Sequence, residues 1–500
     1  GMVGDGVANV IANQNDINFA KGDGVFLNAI SGQVTMNGTV INNLGDPVNE
    51  IALHITNAAN GGRFNFGKES NTSRTSRINH EVPVGSLGGY SLSIDGTSAG
   101  SIIDMRNSDI FDGALQPVRR GGGVRLNNIN GQALLNNMTL VNTNGDGIEL
   151  TGGAGAGSRV SFVGAITVNG AATDSINIHD SSSSVNFTPS VVGSTISIQN
   201  RNRVGFNVHN NPGGSIAVLQ PITINTAAGA LPLFPALAYE NNAANLTFRP
   251  LQAAATVIAI SGGGQDGIDI GVQGENSGQF NVINGKTTID QVTGVSLNIG
   301  NPLTVVSPAA TLPLAVPLPI TGAINFDALS IDNRGGNVVT AQGIGIQIQH
   351  MNHPVTFNNA TVVGNTSLNQ STAVLIHDNY YYNVGSGGVA GTGDPFNPPT
   401  APTTRIAGDV TFANLDIEGT VGGGPNNASG LDIEGLDPSP GAGPATGNRT
   451  RVTTSILDIN RTTLNTGSGT ALFVNNSGTR PAVISLATAT TNPPSNGFTS

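Results

Sequence analysis

The stretch Gly145-Asp146-Gly147-Ile148-Glu149-Leu150 leads through a short turn into an apolar-x-apolar triplet, and Ile176-Asn177-Ile178 repeats that triplet 28 residues later. Alternation of this kind is typical of a half-buried β-strand. The triplet recurs along the whole chain, at intervals that are most often 24 to 32 residues. Its fourteen occurrences begin at Val25, Ile51, Leu92, Val124, Ile148, Ile176, Phe206, Leu237, Ile268, Val295, Ile346, Val374, Leu431 and Leu472. The chain is therefore one long repeat.

Two further short strands follow each triplet, as in Pro354–Phe357 and Ala360–Val363, and Gly, Asn, Asp or Pro supplies the turns between them. No helical stripe competes with this pattern. Three strands of about five residues close a coil of about 25 residues, and coils stacked about 4.8 Å apart form parallel sheets. The sequence predicts an all-β, right-handed, single-stranded parallel β-helix with three strands per coil. We expect about 14 to 16 coils in one continuous domain over residues 1–500.

The composition fits stacked coils. Only 10% of the residues are charged, whereas 69 are glycine. Inward positions of a narrow coil need Val, Ile, Leu, Ala and Phe, while corners favour Asn, Gly, Ser and Thr, whose side chains can bond to the equivalent residue one coil away. Ladders of like charge would repel, so a low charged content is what the fold requires.

Several classes of protein are excluded. The net charge is −11, the pI is near 4.9 and Lys21, Lys68 and Lys286 are the three lysines, so the basic footprint of a nucleic-acid or membrane-surface binder is missing. No run of 18 apolar residues exists that could span a bilayer. The absence of cysteine excludes disulfides, thiolate metal sites and a cysteine nucleophile.

The repeat units resemble those of a known group. Gly145-Asp146-Gly147-Ile148, Gln265-Asp266-Gly267-Ile268 and strands such as Val355-Thr356-Phe357 are similar to the right-handed β-helix repeats of large bacterial secreted and surface proteins. Autotransporter passengers, filamentous-haemagglutinin-like adhesins and the giant repeat proteins of planctomycetes are groups with repeats of this kind. The resemblance covers essentially the whole chain and concerns architecture.

That resemblance implies a non-catalytic structural or adhesive solenoid, outside the cell or on its surface, in a fibre or filament. Gly4 is already in phase with the repeat and the triplet at Leu472 opens a late one, so we expect a segment of a longer chain. Pectate lyases, polygalacturonases and phage tailspikes share the fold, and fold alone does not give function. A polysaccharide-active lyase or hydrolase, or a glycan-binding module, remains the alternative.

One outward row contains residue types that can do chemistry. His179, His209 and Glu240 lie three places after successive triplet starts, and Asp269 lies on the adjacent row. Side chains about 5 Å apart in this row could bind a divalent metal or act as acid and base, as the enzyme alternative requires. The competing interpretation is a solvated ladder. It is favoured because His179-Asp180 recurs as His377-Asp378 without a neighbouring histidine.

Acidic and glycine-rich segments give weaker signals. The densest acidic set predicts either a weak calcium site or a solvated acidic face, and it comprises Asp416, Glu418, Asp432, Glu434 and Asp437. Gly22-Asp23-Gly24 and Gly145-Asp146-Gly147 precede strands and not helices, so they indicate tight corner turns and not phosphate or calcium loops. The sequence therefore predicts no catalytic residue and no cofactor.

Three insertions, at 301–321, 380–406 and 436–449, directly follow a triplet strand and therefore leave the same corner. The first is apolar and proline-rich, the second holds three tyrosines and a phenylalanine, and the third is rich in Pro, Gly and Ala. Insertions at one corner of a solenoid commonly form its binding face. The candidate contacts to another copy, another surface protein or a glycan are Pro302, Leu312, Pro317, Tyr380, Tyr381, Tyr382 and Phe396. The alternative is that these loops pack on their own sheet.

Deleting 302–320, or changing Tyr380, Tyr381 and Tyr382 to Ser, is expected to leave β-sheet content and melting temperature intact while weakening self-association or ligand attachment. Proline-stiffened and aromatic loops lose little entropy on docking, which is why they suit an interface. Circular dichroism alongside sedimentation velocity tests this. Unfolding of both variants would instead make the loops part of the chain's own packing.

Overall fold

The computed structural model describes about two thirds of the chain. The described residues are 2–6, 8–19, 22–43, 50–67, 75–83, 89–106, 108–113, 119–155, 157–226, 233–251, 256–262, 266–272, 276–290, 292–300, 322–332, 344–349, 354–363, 373–377, 409–418, 429–434, 451–459, 470–475 and 483–487. Every regular element in them is a β-strand, and no helix occurs in these ranges. None of them therefore contains a helix long and apolar enough to cross a membrane.

The strands up to residue 261 are β1 (Met2–Asp5), β2 (Asn9–Ile11), β3 (Asp16–Phe19), β4 (Val25–Asn28), β5 (Gln33–Thr35), β6 (Val40–Asn43), β7 (Ile51–Ala58), β8 (Arg63–Asn65), β9 (Ser76–Pro83), β10 (Tyr90–Thr97), β11 (Ile102–Met105), β12 (Ser108–Gly113), β13 (Arg119–Gly121), β14 (Val124–Ile129), β15 (Gln132–Val141), β16 (Ile148–Thr151), β17 (Arg159–Asn169), β18 (Ile176–His179), β19 (Ser184–Thr188), β20 (Ile196–Gln199), β21 (Phe206–His209), β22 (Ser215–Val218), β23 (Ile222–Asn225), β24 (Leu237–Glu240), β25 (Asn245–Phe248) and β26 (Thr256–Ser261).

The strands that follow are β27 (Ile268–Ile270), β28 (Phe280–Asp290), β29 (Leu297–Ile299), β30 (Ile324–Asp332), β31 (Ile346–Gln349), β32 (Val355–Phe357), β33 (Ala360–Val363), β34 (Val374–His377), β35 (Asp409–Glu418), β36 (Ser429–Glu434), β37 (Arg451–Ile459), β38 (Thr470–Asn475) and β39 (Val483–Ala487).

The chain divides into two compact units. The first comprises Gly1–Ala238 with Asn242–Ala259, and the second comprises Tyr239–Asn241 with Ile260–Ser500. In the first unit, β1, β4, β7, β10, β14, β16, β18 and β21 pair in that order, each parallel to the next. In the second, β27, β29, β31, β34, β36 and β38 do the same. These triplet strands form the first face of each unit.

The other strands of each coil form a second and a third face. In the coil of β18, the second face is β19 and the third is β20, and β21, β22 and β23 repeat this arrangement. Elsewhere one long strand covers both faces. The first part of β17 pairs with β19 and its second part with β20, and the strand bends at Gly164, whose φ is 91°. Three strands per coil and parallel stacking confirm the predicted parallel β-helix.

The register differs from the predicted triplets in two coils. Val25 and Leu27 pair with Leu53 and Ile55, so that triplet begins at Leu53 and not at Ile51. Ile268 and Ile270 pair with Leu297 and Ile299, so the triplet of that coil begins at Leu297 and not at Val295. Both corrections are shifts of two residues. Alternation has a period of two, so a shift of two keeps the same side chains inward and the pattern alone cannot detect it.

In the first unit, each of the first-face strands β1, β4, β7, β10, β14, β16, β18 and β21 has one left-handed residue at or next to its end, four places after its triplet start. The eight residues have φ between 51° and 75° and are Gly6, Ala29, Asn57, Gly96, Asn128, Gly152, Asp180 and Asn210. Gly, Asn and Asp tolerate this conformation best. The corner is therefore fixed by residue type, and Ala29 is its least suited member.

A second constraint lies just before the triplets, where a glycine lies close to the backbone of the next coil. A Cβ atom added at Gly147 would lie 2.5 Å from the carbonyl oxygen of Ser175, and one at Gly267 would lie 2.3 Å from that of Ser296. Both partners occupy the same position one coil later. Only glycine or a very small residue fits there, which explains why turns of the Gly-Asp-Gly type introduce the strands.

The core of each coil is apolar and partly aromatic. In the second unit Phe326, Phe357 and Phe412 pair in register on the second face, with ring centroids 5.4 Å and 4.7 Å apart. All three are fully buried. Stacked aromatic side chains bury large areas at a fixed spacing. The insertions at 301–321, 380–406 and 436–449, and with them all seven predicted contact residues, lie outside the described residues.

Ala29→Gly is expected to raise the free energy of unfolding by about 1 kcal/mol, because glycine carries no Cβ penalty in the left-handed region. Ala133→Gly, in the buried interior of β15, is the matched control and should lower it by a similar amount. Chemical unfolding of both variants checks this. Destabilisation by both substitutions would contradict the corner requirement.

Candidate functional site

Four aspartates stand two places before a triplet, at the corner that introduces the first face. Each Oδ1 accepts the backbone N–H of the equivalent residue in the next coil. The pairs are Asp23 with Ile51 at 3.0 Å, Asp146 with Asp174 at 2.9 Å, Asp174 with Val204 at 3.1 Å and Asp266 with Val295 at 2.7 Å. Gly-Asp-Gly is therefore a corner turn whose carboxylate clamps two coils together.

The second carboxylate oxygen reaches the next coil as well. Oδ2 of Asp146 accepts from Nδ2 of Asn177 at 3.0 Å, and Oδ2 of Asp174 accepts from Nδ2 of Asn207 at 2.8 Å. Asn177 and Asn207 occupy the same outward position in β18 and β21. One aspartate thus binds both a backbone amide and a side chain of its neighbour.

In an earlier coil, histidine replaces asparagine at that outward position. Nδ1 of His54 lies 2.9 Å from Oδ2 of Asp23, and its Nε2 lies 3.2 Å from Oδ2 of Asp95 in the following coil. Burial opposes protonation of this ring, but the two carboxylates outweigh it and raise the pKa of His54 from 6.5 to about 9. Burial likewise opposes ionisation of Asp95, and His54 with Ser93 outweighs it and lowers that pKa to about 2. His54 thus links three coils through contacts with Asp23 and Asp95, and we call this arrangement the His54 clasp.

The alternation of charge continues along the first face. The Arg125 guanidinium lies 3.9 Å from a carboxylate oxygen of Asp95 on one side and 3.9 Å from one of Glu149 on the other. The Tyr90 hydroxyl donates to Glu149 at 3.4 Å, and the Arg125 guanidinium carbon lies 5.6 Å from the Tyr90 ring centroid. Burial and the Glu149 carboxylate raise the pKa of Tyr90 to about 12.

The predicted histidine row follows next. Nε2 of His179 lies 3.6 Å from Glu149 and its Nδ1 lies 2.8 Å from Oδ2 of Asp180. Its ring stacks on that of His209, with centroids 5.1 Å apart and planes 6° from parallel. Nε2 of His209 lies 3.1 Å from Oδ1 of Asn177. The structure therefore brings His179 and His209 together, as the sequence indicated.

Asp23, His54, Asp95, Arg125, Glu149 and His179 alternate in charge along the first face, on its entry corner and on both outward rows, and we call this set the charge ladder. Each of its cations contacts carboxylates on two sides, and the partners of the first two lie in neighbouring coils. Paired charges of opposite sign avoid the repulsion that a ladder of like charges would create. The chemistry-bearing residues of this face are thus engaged in contacts within and between coils.

Glu240 and Asp269 belong to the second unit. Asp269 is only 5% exposed, and burial together with the Asp266 and Glu240 carboxylates raises its pKa well above 3.8. Burial also raises the pKa of Asp266. Like charges in a buried place oppose ionisation, so the surroundings of Asp269 favour its protonated form.

The calcium candidates are divided between faces. Asp416 and Glu418 lie on β35, in its third-face part, whereas Asp432 and Glu434 lie on the first-face strand β36. Asp437 lies outside the described residues. Within the described ranges, no three His, Asp or Glu side chains are grouped closely enough to hold a metal ion.

The sequence interpretation missed most of the charge ladder. His54, Asp95, Arg125 and Glu149 are outward residues one or three places after triplet starts, the same positions that revealed the histidines. The sequence interpretation started this triplet at Ile51, which puts His54 three places after the start. The true start is Leu53, so His54 lies one place after it and belongs to the other outward row. Reading both outward rows with the correct register would have found the alternation.

Comparison of the chain with protein-family models, with curated proteins and with solved structures finds no match in any of the three.

His54→Gln is expected to lower the free energy of unfolding at neutral pH by about 1 kcal/mol, after allowance for solvent screening of this partly exposed clasp. The raised pKa makes the histidine's contribution complete below pH 6.5 and lost as pH rises through about 9. The difference between wild type and variant should therefore vanish at higher pH. Urea unfolding across this range measures it, with Thr167→Val on the third face as the control. A difference independent of pH would contradict the clasp.

Proposed function

We propose that the chain is a non-catalytic structural or adhesive solenoid of a surface fibre or filament, located outside the cell. The observation that carries the proposal is how the polar side chains are used. The corner aspartates bind backbone amides of the next coil, and the charge ladder pairs cations and carboxylates of neighbouring coils.

The corners support the same role. Nδ2 of Asn211 donates to Oδ1 of Asn242 at 2.8 Å and to the Ile178 carbonyl at 3.0 Å, and Nδ2 of Asn242 donates to the Val208 carbonyl at 2.9 Å. Both amides are buried. Such ladders stabilise a repeated coil, because the side chains of each added coil form hydrogen bonds with the buried polar groups of the coil before it. A structural role is therefore what this arrangement favours.

Attachment to a partner is assigned to the three insertions, on sequence grounds. A solenoid presents insertions from one corner as a surface separate from its stacked coils. The apolar insertion at 301–321 and the tyrosines of 380–406 have the composition of interface anchors. Self-association, another surface protein and a glycan are the three kinds of partner that this composition fits.

The enzyme alternative keeps one specific observation in its favour. His179 and His209 lie together on an outward face, and their surroundings shift their pKa values in opposite directions, as in acid–base pairs. A polysaccharide lyase or hydrolase would use this pair on a substrate lying along the first face. A glycan-binding module that does not cleave its ligand would not use this histidine pair as acid and base.

Filament formation and polysaccharide cleavage separate the two proposals. We expect the purified protein to form filaments or ordered assemblies in negative-stain electron microscopy and to cleave neither neutral nor uronate-containing polysaccharides. The triple variant His179→Ala, His209→Ala, Glu240→Ala should assemble as the wild type does, because these substitutions leave the insertions untouched. Cleavage by the wild type that disappears in a folded triple variant would replace the structural proposal with the enzyme.

A further inference from the structure

We propose that His179 and His209 form a proton-sensitive junction between consecutive coils of the first unit. The junction holds β18 against β21 while one of the two rings carries a proton, and it loosens when both rings do. This goes beyond the proposed function, because it concerns how the coil stack responds to protons and not what the solenoid attaches to.

The pair is placed by the backbone. His179 and His209 are register partners in the parallel pair β18 and β21, and both strands are followed by a left-handed residue, Asp180 or Asn210. The two rings lie parallel with centroids 5.1 Å apart. Because the strands fix both side chains on adjacent coils, a repulsion between the rings acts directly on the contact between those coils.

The hydrogen-bond partners give the two rings different protonation states. Nδ1 of His179 lies 2.8 Å from Oδ2 of Asp180, and its Nε2 lies at an ion-pair distance of 3.6 Å from Glu149, so a carboxylate on each side favours the imidazolium. Nε2 of His209 faces the amide oxygen of Asn177 at 3.1 Å, which suits a neutral ring that donates there. The surroundings of the pair therefore favour a single positive charge, located on His179.

Charged groups from each neighbouring corner act on the pair. His179 faces Glu149 of β16 and Asp180, and these carboxylates raise its pKa to about 8 although burial opposes this. His209 faces His179, Asp180, Asp146 of the corner before β16, and Arg203 of the corner before β21. Burial, with the positive charge of His179, lowers the pKa of His209 below 6.5.

These directions define the response to pH. A histidine with a lowered pKa stabilises the fold above pH 6.5, and that contribution is lost as pH falls toward the folded-state pKa. A histidine with a raised pKa contributes fully below pH 6.5 and loses its contribution as pH rises through about 8. Acidification below pH 6.5 is therefore the direction that adds the second charge and loosens the junction.

The first test measures the coupling of the two rings in the full chain by histidine NMR titration. The titration midpoint of His209 is expected to rise by about 0.6 pH unit in His179→Gln. This is the pKa shift equivalent to the Coulomb energy of two charges 5.1 Å apart in water. Glutamine preserves the ability to donate toward Glu149 or Asp180 but carries no charge. An unchanged His209 midpoint overturns the proposal, whatever the stability of the variant.

The second test follows hydrogen exchange of peptides that contain β18 and β21, after correction for the chemical exchange rate at each pH. Protection in wild type should fall between about pH 7 and 5 and should stay constant in His209→Gln. His377→Gln is the matched control, because the register partners of His377 are Gln349 and Glu434 and not histidines; it should behave as wild type. Constant protection in wild type, or an equal fall in His209→Gln, overturns the proposal.

Discussion

The stacking of equivalent residues in consecutive parallel coils is the constraint on which the rest of this structure depends. Parallel pairing places each side chain about 4.8 Å from its counterpart in the next coil. Every position must therefore tolerate a near copy of itself. Apolar residues satisfy this inside the coil, and Asn, Asp and Gly satisfy it at the corners.

Charge is the hardest feature to accommodate under this constraint, and the first unit does so by alternation. His54 and Arg125 each lie between carboxylates of the coils before and after. The one departure is His209, which follows His179 without a carboxylate within ion-pairing distance among the described contacts. That departure is where the structure gains sensitivity to protons.

The repeat period, the parallel coils and the inward residues could be predicted from the sequence because alternation and turn residues are local signals. The register at Leu53 and Leu297 could not, since a shift of two residues leaves the inward set unchanged. The stacking of His179 on His209 followed from spacing alone. The charge ladder was missed because the register error moved His54 to the wrong outward row and because the members of the ladder are divided between two rows.

The central claim is that polar corner residues act by binding one coil to the next, and a double-mutant cycle between Asp146 and Asn177 tests it most directly. Their side chains are joined by a 3.0 Å hydrogen bond across consecutive coils. Unfolding of Asp146→Ala, Asn177→Ala and the double variant should give a coupling free energy of about 1 kcal/mol. Independent, additive effects of the two substitutions would show that the corner residues do not hold the coils together.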